Sequence, residues 1–302
     1  MYEGAFRILR ALGDGRSLTR EEVVGASGEA PSVVREVAER YPKWFDEEEG
    51  RIRCSDRGLA ALARELIARG AAEERPADSW SAAYEAMAAE RSTPKRALDQ
   101  VYATTETVAR RAQLLLEAGE HQRGLVFLGD DDLTSAAVQF SGAARKVTVV
   151  DADEEILGLL ARHAACQGWE HDTLHHDLRR PIPRGLHGRY GAAFTDPPYA
   201  VEGFALFVSR AVEMLKPDGR LYVCLGKSRR ASERGLHKQR ILSEAGLLIE
   251  AVFEDFNHYH GAVAIGSRSA LWRCRVTPET RPLVRGEVEG DLYTSRSPKR
   301  SR

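Results

Sequence analysis

The chain has 302 residues, 43% of them hydrophobic and 29% charged, with a formal net charge of −1. This is the composition of a folded globular protein of one large domain or two ordinary ones; its global charge argues neither for nor against a nucleic-acid partner, so local clusters must decide. No segment reaches the roughly 18 apolar residues of a membrane span, and the first residues, MYEGAFRILRALGDG, hold no apolar run before a cleavage site. The four cysteines, Cys54, Cys166, Cys224 and Cys274, form no CxxC pair. Together these features predict a cytoplasmic protein with reduced, mostly buried thiols, no metal site and no membrane partner.

Residues 1–72 read as a small winged-helix-like N-terminal domain. FRILRALGDG is an amphipathic helix closed by glycine. SLTREEVVGASG offers Ser17 or Thr19 as N-cap, acids in the first turn and a glycine stop. APSVVREVAERY gives a third helix, WFDEEEGRIRCSD alternates about a glycine turn as a hairpin does, and RGLAALARELIARG gives a fourth helix. Such a unit can read DNA through its third helix or serve as a docking module. Here the hairpin turn is EEEG, Glu47 to Gly50, which phosphates would repel. Arg35 and Arg40 of the third helix are offset by Glu36 and Glu39. DNA is therefore not expected as a partner, and the unit is assigned to a homodimer contact. Residues 73–96, AAEERPADSWSAAYEAMAAERSTP, read as an Ala/Glu/Ser-rich linker with room for one helix.

From residue 97 to 284 the pattern changes to short apolar strands alternating with helices. LVFLG (125–129), KVTVVDAD (146–153), AAFTDPPY (192–199) and GRLYVCLG (219–226) are strands, with a further one before Asp177. SAAVQFSG, EEILGLLARHAACQG and GFALFVSRAVEMLKPDG lie between them as helices. This alternation predicts an α/β fold with a Rossmann-like parallel sheet, and the four acids at its strand ends, Asp151, Asp153, Asp177 and Asp196, make it the class I S-adenosylmethionine type. Ligands of such sheets lie outside the C-terminal strand ends, at the topological switch point. Residues 285–302, ending YTSRSPKRSR, are expected to be a disordered basic tail.

Each strand ends in a glycine or an acid. Asp151 and Asp153 follow the second strand, where a carboxylate commonly bonds ribose hydroxyls; Asp153 equally suits the N-cap of the next helix. Asp177 follows the third strand and reads either as an acceptor for an adenine amine or as a turn residue before Pro181. Asp196 opens DPPY. Pro197 and its neighbour stiffen the backbone, and Tyr199 can stack on an amine held by the aspartate. The predicted ligand is an adenosyl sulfonium, a good leaving group, so the protein needs to position the reactants for alkyl transfer.

The first strand ends at Gly129 and runs into Asp130, Asp131 and Asp132. A methionine tail carries a carboxylate and an ammonium, and the three acids would repel the carboxylate. A decarboxylated tail keeps only the ammonium. At about 4 Å, opposite charges gain on the order of a few kcal/mol at intermediate dielectric, enough to choose between the two. A polyamine would be drawn to the same loop, and one acid could take up its proton. The alternative is that the acids cap the helix beginning near Leu133, which accounts for one of them well and for three poorly.

FLGDDDLTS, DQVYATTETVARRAQLL (99–115), VTVVDAD, HDLRRPIP, FTDPPY and FNHYHG (256–261) together resemble the branched-chain polyamine synthases, or N4-bis(aminopropyl)spermidine synthases. The resemblance runs over most of residues 97–275. It implies aminopropyl transfer from decarboxylated S-adenosylmethionine, as co-substrate and without a tightly bound cofactor, to the secondary amine of spermidine, releasing methylthioadenosine. It further implies that Asp131 is the catalytic acid of GDDD and that Asp196 sits near the same amine. Gln100 and Tyr102 would line the crevice, Asp151 and Asp177 would hold ribose and adenine, and Glu254 and Asp255 would add negative field. A methyltransferase acting on an amine or nucleobase is the competing reading, and a non-catalytic nucleoside-sensing regulator a further one. Two departures stand out: the family's CxxC between domains is absent, and the family's acidic tail is basic here.

Overall fold

The computed structural model describes residues 3–73, 80–142, 146–226, 232–260, 267–290 and 292. The chain divides into two compact units, one of residues 1–74 with 117–119 and one of 75–116 with 120–302.

The first unit runs α1 (Glu3–Leu12), β1 (Leu18–Thr19), α2 (Arg20–Ser27), α3 (Pro31–Arg40), β2 (Phe45–Glu48), β3 (Arg51–Cys54) and α4 (Asp56–Glu73). Thr19 caps α2: its hydroxyl accepts from the Glu22 N–H while the Glu22 carboxylate accepts from the Thr19 N–H. β2 and β3 form a hairpin whose turn places Glu49 and Gly50 at positive φ. β1 pairs with β3, giving the antiparallel order β1-β3-β2. Phe6, Leu9, Val23, Val37 and Ile52 meet in its core. Arg20 pairs with Glu47 and Arg53 with Asp46, so the acidic hairpin is partly neutralised within its own unit.

The second unit begins with a correction to the expected linker over 73–96. Within it, α5 (Ser81–Ala88) buries Tyr84 and Met87, and the Tyr84 hydroxyl donates to the Asp132 carbonyl at 2.6 Å. Two large side chains at i and i+3 suffice to dock an alanine-rich helix, and its composition hid them. Residues 74–79 lie outside the described residues. There follow α6 (Thr105–Glu117), β4 (Leu125–Leu128), α7 (Thr134–Phe140), β5 (Lys146–Asp151), α8 (Glu154–Gln167), β6 (Glu170–His175), β7 (Tyr190–Thr195), α9 (Val201–Met214), β8 (Leu215–Gly226), α10 (Ser232–Glu244), β9 (Leu247–His258) and β10 (Arg268–Val276). The sheet order is β6-β5-β4-β7-β8-β10-β9. β6 through β8 are parallel, and β10 runs antiparallel to both its neighbours.

All four residues of β4 and all six of β7 are buried, as expected for central parallel strands covered on both faces. The chain builds outward from β4 to β6, then returns to the other side of β4 with β7. The switch point therefore lies between the C-terminal ends of β4 and β7, and the crevice opens there.

The start of the basic tail is also corrected. Arg210 donates to the Gly286 carbonyl at 2.6 Å, the Val288 N–H to the Arg179 carbonyl at 2.9 Å, and Leu292 is buried. Residue 291 and residues 293–302, which carry the rest of that expectation, lie outside the described residues, as do residues 227–231 of the basic stretch after β8. Among the described residues no helix is long and apolar enough to cross a membrane, and no cluster of His, Cys, Asp or Glu could hold a metal ion.

Candidate active site

A cavity at the switch point is lined by Leu98, Asp99, Gln100, Gly129, Asp131, Asp151, Ala152, His176, Leu178, Asp196, Pro198 and Phe207. Gly129 leaves β4 at φ 71, a left-handed conformation open to glycine without strain. Its N–H donates to the Val150 carbonyl at 2.9 Å, which ties the turn to β5. The turn ends at Leu133, also left-handed at φ 56 and fully buried, a conformation that costs a non-glycine residue about 1–2 kcal/mol.

The expectation that Asp130, Asp131 and Asp132 act together on a ligand is corrected: the turn sends them three ways. The buried Asp130 carboxylate accepts from the Ser135 N–H, so it caps α7, and its own N–H donates to Asp151 at 2.9 Å. Asp132 is buried and accepts from the Ala103 N–H and from Arg111 Nη1 at 2.6 Å. Asp131 alone of the three lines the cavity. Its carbonyl accepts from Arg91 at 2.7 Å, but its carboxylate has no hydrogen-bond or ion-pair partner among the described residues.

Arg111 ties the site together and escaped the sequence reading. It is 1% exposed. Its Nε donates to Asn257 at 2.8 Å, Nη1 to Asp132 at 2.6 Å and Nη2 to Asp196 at 2.7 Å. The Tyr259 hydroxyl donates to the same Asp196 oxygen at 2.7 Å. Helix α6, the GDDD turn, the end of β7 and the β9 region thus meet on one guanidinium, whose fixed fork suits two carboxylates at once. The signal was present: Val108, Arg111, Ala112 and Leu115 lie on one buried stripe of α6, an arginine where an apolar residue is expected.

Asp151 lines the cavity with its orientation fixed by the N–H groups of Asp130, at 2.9 Å, and Asp153, at 2.8 Å. Asp153 is placed elsewhere. It is the N-cap of α8, bonded to Lys95 Nζ at 2.7 Å and Gln100 Nε2 at 2.8 Å, and the structure favours that role over ribose contact. Gln100 lines the cavity. Tyr102 does not; its hydroxyl donates to the Ser92 carbonyl and its ring carries Arg91 at 3.9 Å. Asp177 lies between two lining residues, His176 and Leu178, with its carboxylate taken by the Arg179 side chain at 2.6 Å. Pro197 and Tyr199 stand beside the lining residues Asp196 and Pro198. Glu254 is exposed on β9 and outside the lining.

Burial sets the electrostatics. It pushes the Asp130 carboxyl up to about 8. It raises Asp131 well above the usual carboxylate range, and the charges of Asp132, Asp151, Asp196 and Asp130 push the same way. At Asp153 burial also acts upward, but hydrogen bonds from Lys95 and Gln100 outweigh it and hold the group low. An unpaired carboxyl with a raised proton affinity, facing a cavity, is suited to accept a proton from a bound nucleophile.

Residues 80–284 match the family described as the Branched-chain polyamine synthase A C-terminal domain. An uncharacterized protein of Methanocaldococcus jannaschii is 36% identical over 198 residues, 65% of this chain and 49% of that one. The N(4)-bis(aminopropyl)spermidine synthase of Thermococcus kodakarensis is 33% identical over 174 residues, 56% of this chain and 50% of that one. The chain thus spans about half the length of the curated relatives it matches. The crystal structure of the Thermus thermophilus branched-chain polyamine synthase, in complex with N4-aminopropylspermidine and 5′-methylthioadenosine, superposes with a TM-score of 0.63 at 26% identity, covering 96% of this chain and 91% of that one.

Proposed function

The chain belongs to the branched-chain polyamine synthase family, and on that basis we propose that it is an aminopropyltransferase. It moves the aminopropyl group of decarboxylated S-adenosylmethionine to an amine of a polyamine, the secondary amine of spermidine being the assigned acceptor, with release of methylthioadenosine. One observation carries this reading: among the described residues the cavity lining holds Asp99, Asp131, Asp151 and Asp196 and no lysine or arginine. A methionine carboxylate would face mostly like charge there, while a wholly cationic tail and acceptor would be attracted. The Thermus relative's complex with a branched polyamine and methylthioadenosine supports the same assignment.

In this reading Asp151 holds ribose, residues 176–178 border the adenine, and Asp196 with Tyr199 seats the acceptor nitrogen. Asp131 accepts the proton that the nitrogen loses. The sulfonium leaves as a neutral thioether, so the protein supplies position and field and no proton to the leaving group. We further read the first unit, with its order of helices and hairpin, as a winged-helix-like domain whose acidic turn is unsuited to phosphate contact.

Calorimetry with S-adenosylmethionine and its decarboxylated form, followed by mass spectrometry of products from a panel of amines, tests the assignment. Preference for the decarboxylated sulfonium and a mass gain of one or two aminopropyl groups on spermidine are expected. Tighter binding of S-adenosylmethionine, with methylated product, would establish the methyltransferase alternative instead.

A further inference from the structure

Lys238 is the one lysine buried among the described residues, 3% exposed. It projects from α10 against the DPPY loop, its Nζ 6.0 Å from the Tyr199 ring centroid and 5.2 Å from that of Phe204. It makes no ion pair and no hydrogen bond among the described residues. Asp196 at the end of β7 favours its charge, and Arg234 on its own helix opposes it. Its ring contacts are Phe204 on α9 and Tyr199 in the loop; from β8 and β9, which also pack on α10, no described residue sets a charge against it. Burial outweighs Asp196 and pulls the ammonium down to about 8. The core has no need of a cation there, since a methionine of similar volume would fill the space without a desolvated charge. Nor does the lysine attract a polyamine: it stands beside the two residues assigned to the acceptor nitrogen and opposes their pull.

That opposition has a chemical use. An amine attacks carbon only through a free lone pair, and an all-acid crevice holds it best as the unreactive ammonium. We infer that Lys238 sets the protonation state of the bound acceptor: its positive charge beside Asp196 and Tyr199 lowers the proton affinity of the nitrogen seated there. The inference rests on the aminopropyl-transfer reading above. The nitrogen lone pair forms the new N–C bond, and the C–S bond breaks with its electron pair going to sulfur. The proton lost by the acceptor goes to Asp131, whose carboxylate has no partner among the described residues. Lys238 touches none of these atoms. It acts through the field at the acceptor subsite and makes that subsite selective for an amine that can bind uncharged.

The test is Lys238→Met, with Lys238→Gln as a second variant, assayed with decarboxylated S-adenosylmethionine and spermidine between about pH 6.5 and about 9.5. Thermal melting checks the fold, and the methionine variant should melt at or above the parent. Near pH 7 the acceptor KM should fall about three- to tenfold, because the competing charge is gone, while kcat falls by a similar factor, because more acceptor is bound protonated. Both differences should vanish by about pH 9, where Lys238 of the parent has lost its own proton. A lysine that only supports the fold would not split KM and kcat in this way. Unchanged constants near pH 7, or a loss independent of pH, overturn the inference and leave the transfer reaction standing. Absence of aminopropylated product from the unsubstituted enzyme overturns the underlying reading instead.

Discussion

At the scale of single residues, the site divides three adjacent aspartates among three tasks through backbone geometry. Gly129 and Leu133 turn the chain at positive φ, so consecutive side chains diverge, and of the three only Asp131 is left facing the cavity with its carboxylate unpartnered among the described residues. Asp131→Asn keeps the volume and removes the proton acceptor. It should fold normally, bind methylthioadenosine as before and lose about 10²- to 10⁴-fold in kcat; turnover near the parent rate at saturating amine would move the proton acceptor elsewhere. Arg111 is a positioning residue in the same frame. Arg111→Met would leave the buried Asp132 and the half-buried Asp196 without their shared cation, a loss of about 3–5 kcal/mol. Arg111→Lys keeps the charge but cannot bridge both carboxylates. It should restore melting temperature more than activity, and equal recovery of both would argue that the bridging geometry is unimportant.

Elements position the site by close packing as well as by hydrogen bonds. Gly203 lies in the first turn of α9, where a Cβ would meet the Leu292 carbonyl at 2.7 Å and the Pro198 ring at 2.9 Å. Glycine thus lets the helix start directly against the DPPY loop. Gly203→Ala should push that loop, destabilise by about 1–3 kcal/mol and raise the acceptor KM while leaving methylthioadenosine affinity within about twofold, a pattern that kinetics and calorimetry separate. How much of this was legible follows from where the signals are local. Four of the five parallel strands announced themselves as apolar runs ending in glycine or acid, and of the residues their motifs singled out Asp131, Asp151, Asp196 and Gln100 line the cavity. β9, at the sheet edge, and β10 beside it escaped because LLIEAVFEDFNH and RSALWRCRV mix charged and apolar residues without clean alternation. Arg111, Asn257 and Tyr259 escaped as partners because their contacts join segments about 85 to 150 residues apart, a pairing visible only once the sheet is closed. Asp153 was readable both ways, and the neighbour that decided the matter, Lys95, sits 58 residues away.

For the whole molecule, the buried acids in and behind the crevice are a store of unfavourable charge that cations bound in it are expected to relieve. Asp130, Asp132 and Asp151 all have raised proton affinity, each chiefly through burial. A carboxyl raised in the fold binds its proton there while the unfolded chain has already lost it, so stability falls as pH rises between the unfolded and folded values. For Asp130 that window runs from the ordinary value of 3.8 to about 8. Acids held low, such as Asp153 and Asp177, titrate below it, while the buried His171, pulled down to about 4 from 6.5, opposes the trend only in the lower part of the window. The ligand-free protein should therefore melt higher near pH 5 than near pH 8, by about 2–4 °C for each kcal/mol in a chain of this size. Asp130→Asn isolates the effect, since an amide oxygen can still accept from the Ser135 N–H. The variant should gain several degrees near pH 8, gain little near pH 5, and so flatten the pH profile of the melt. Spermidine, by supplying cations to the crevice, should raise the parent's melting temperature more at pH 8 than at pH 5. A parent melt that rises steadily from pH 5 to 8, or an asparagine variant that melts lower at both, would show that the buried acids are neutralised in some other way.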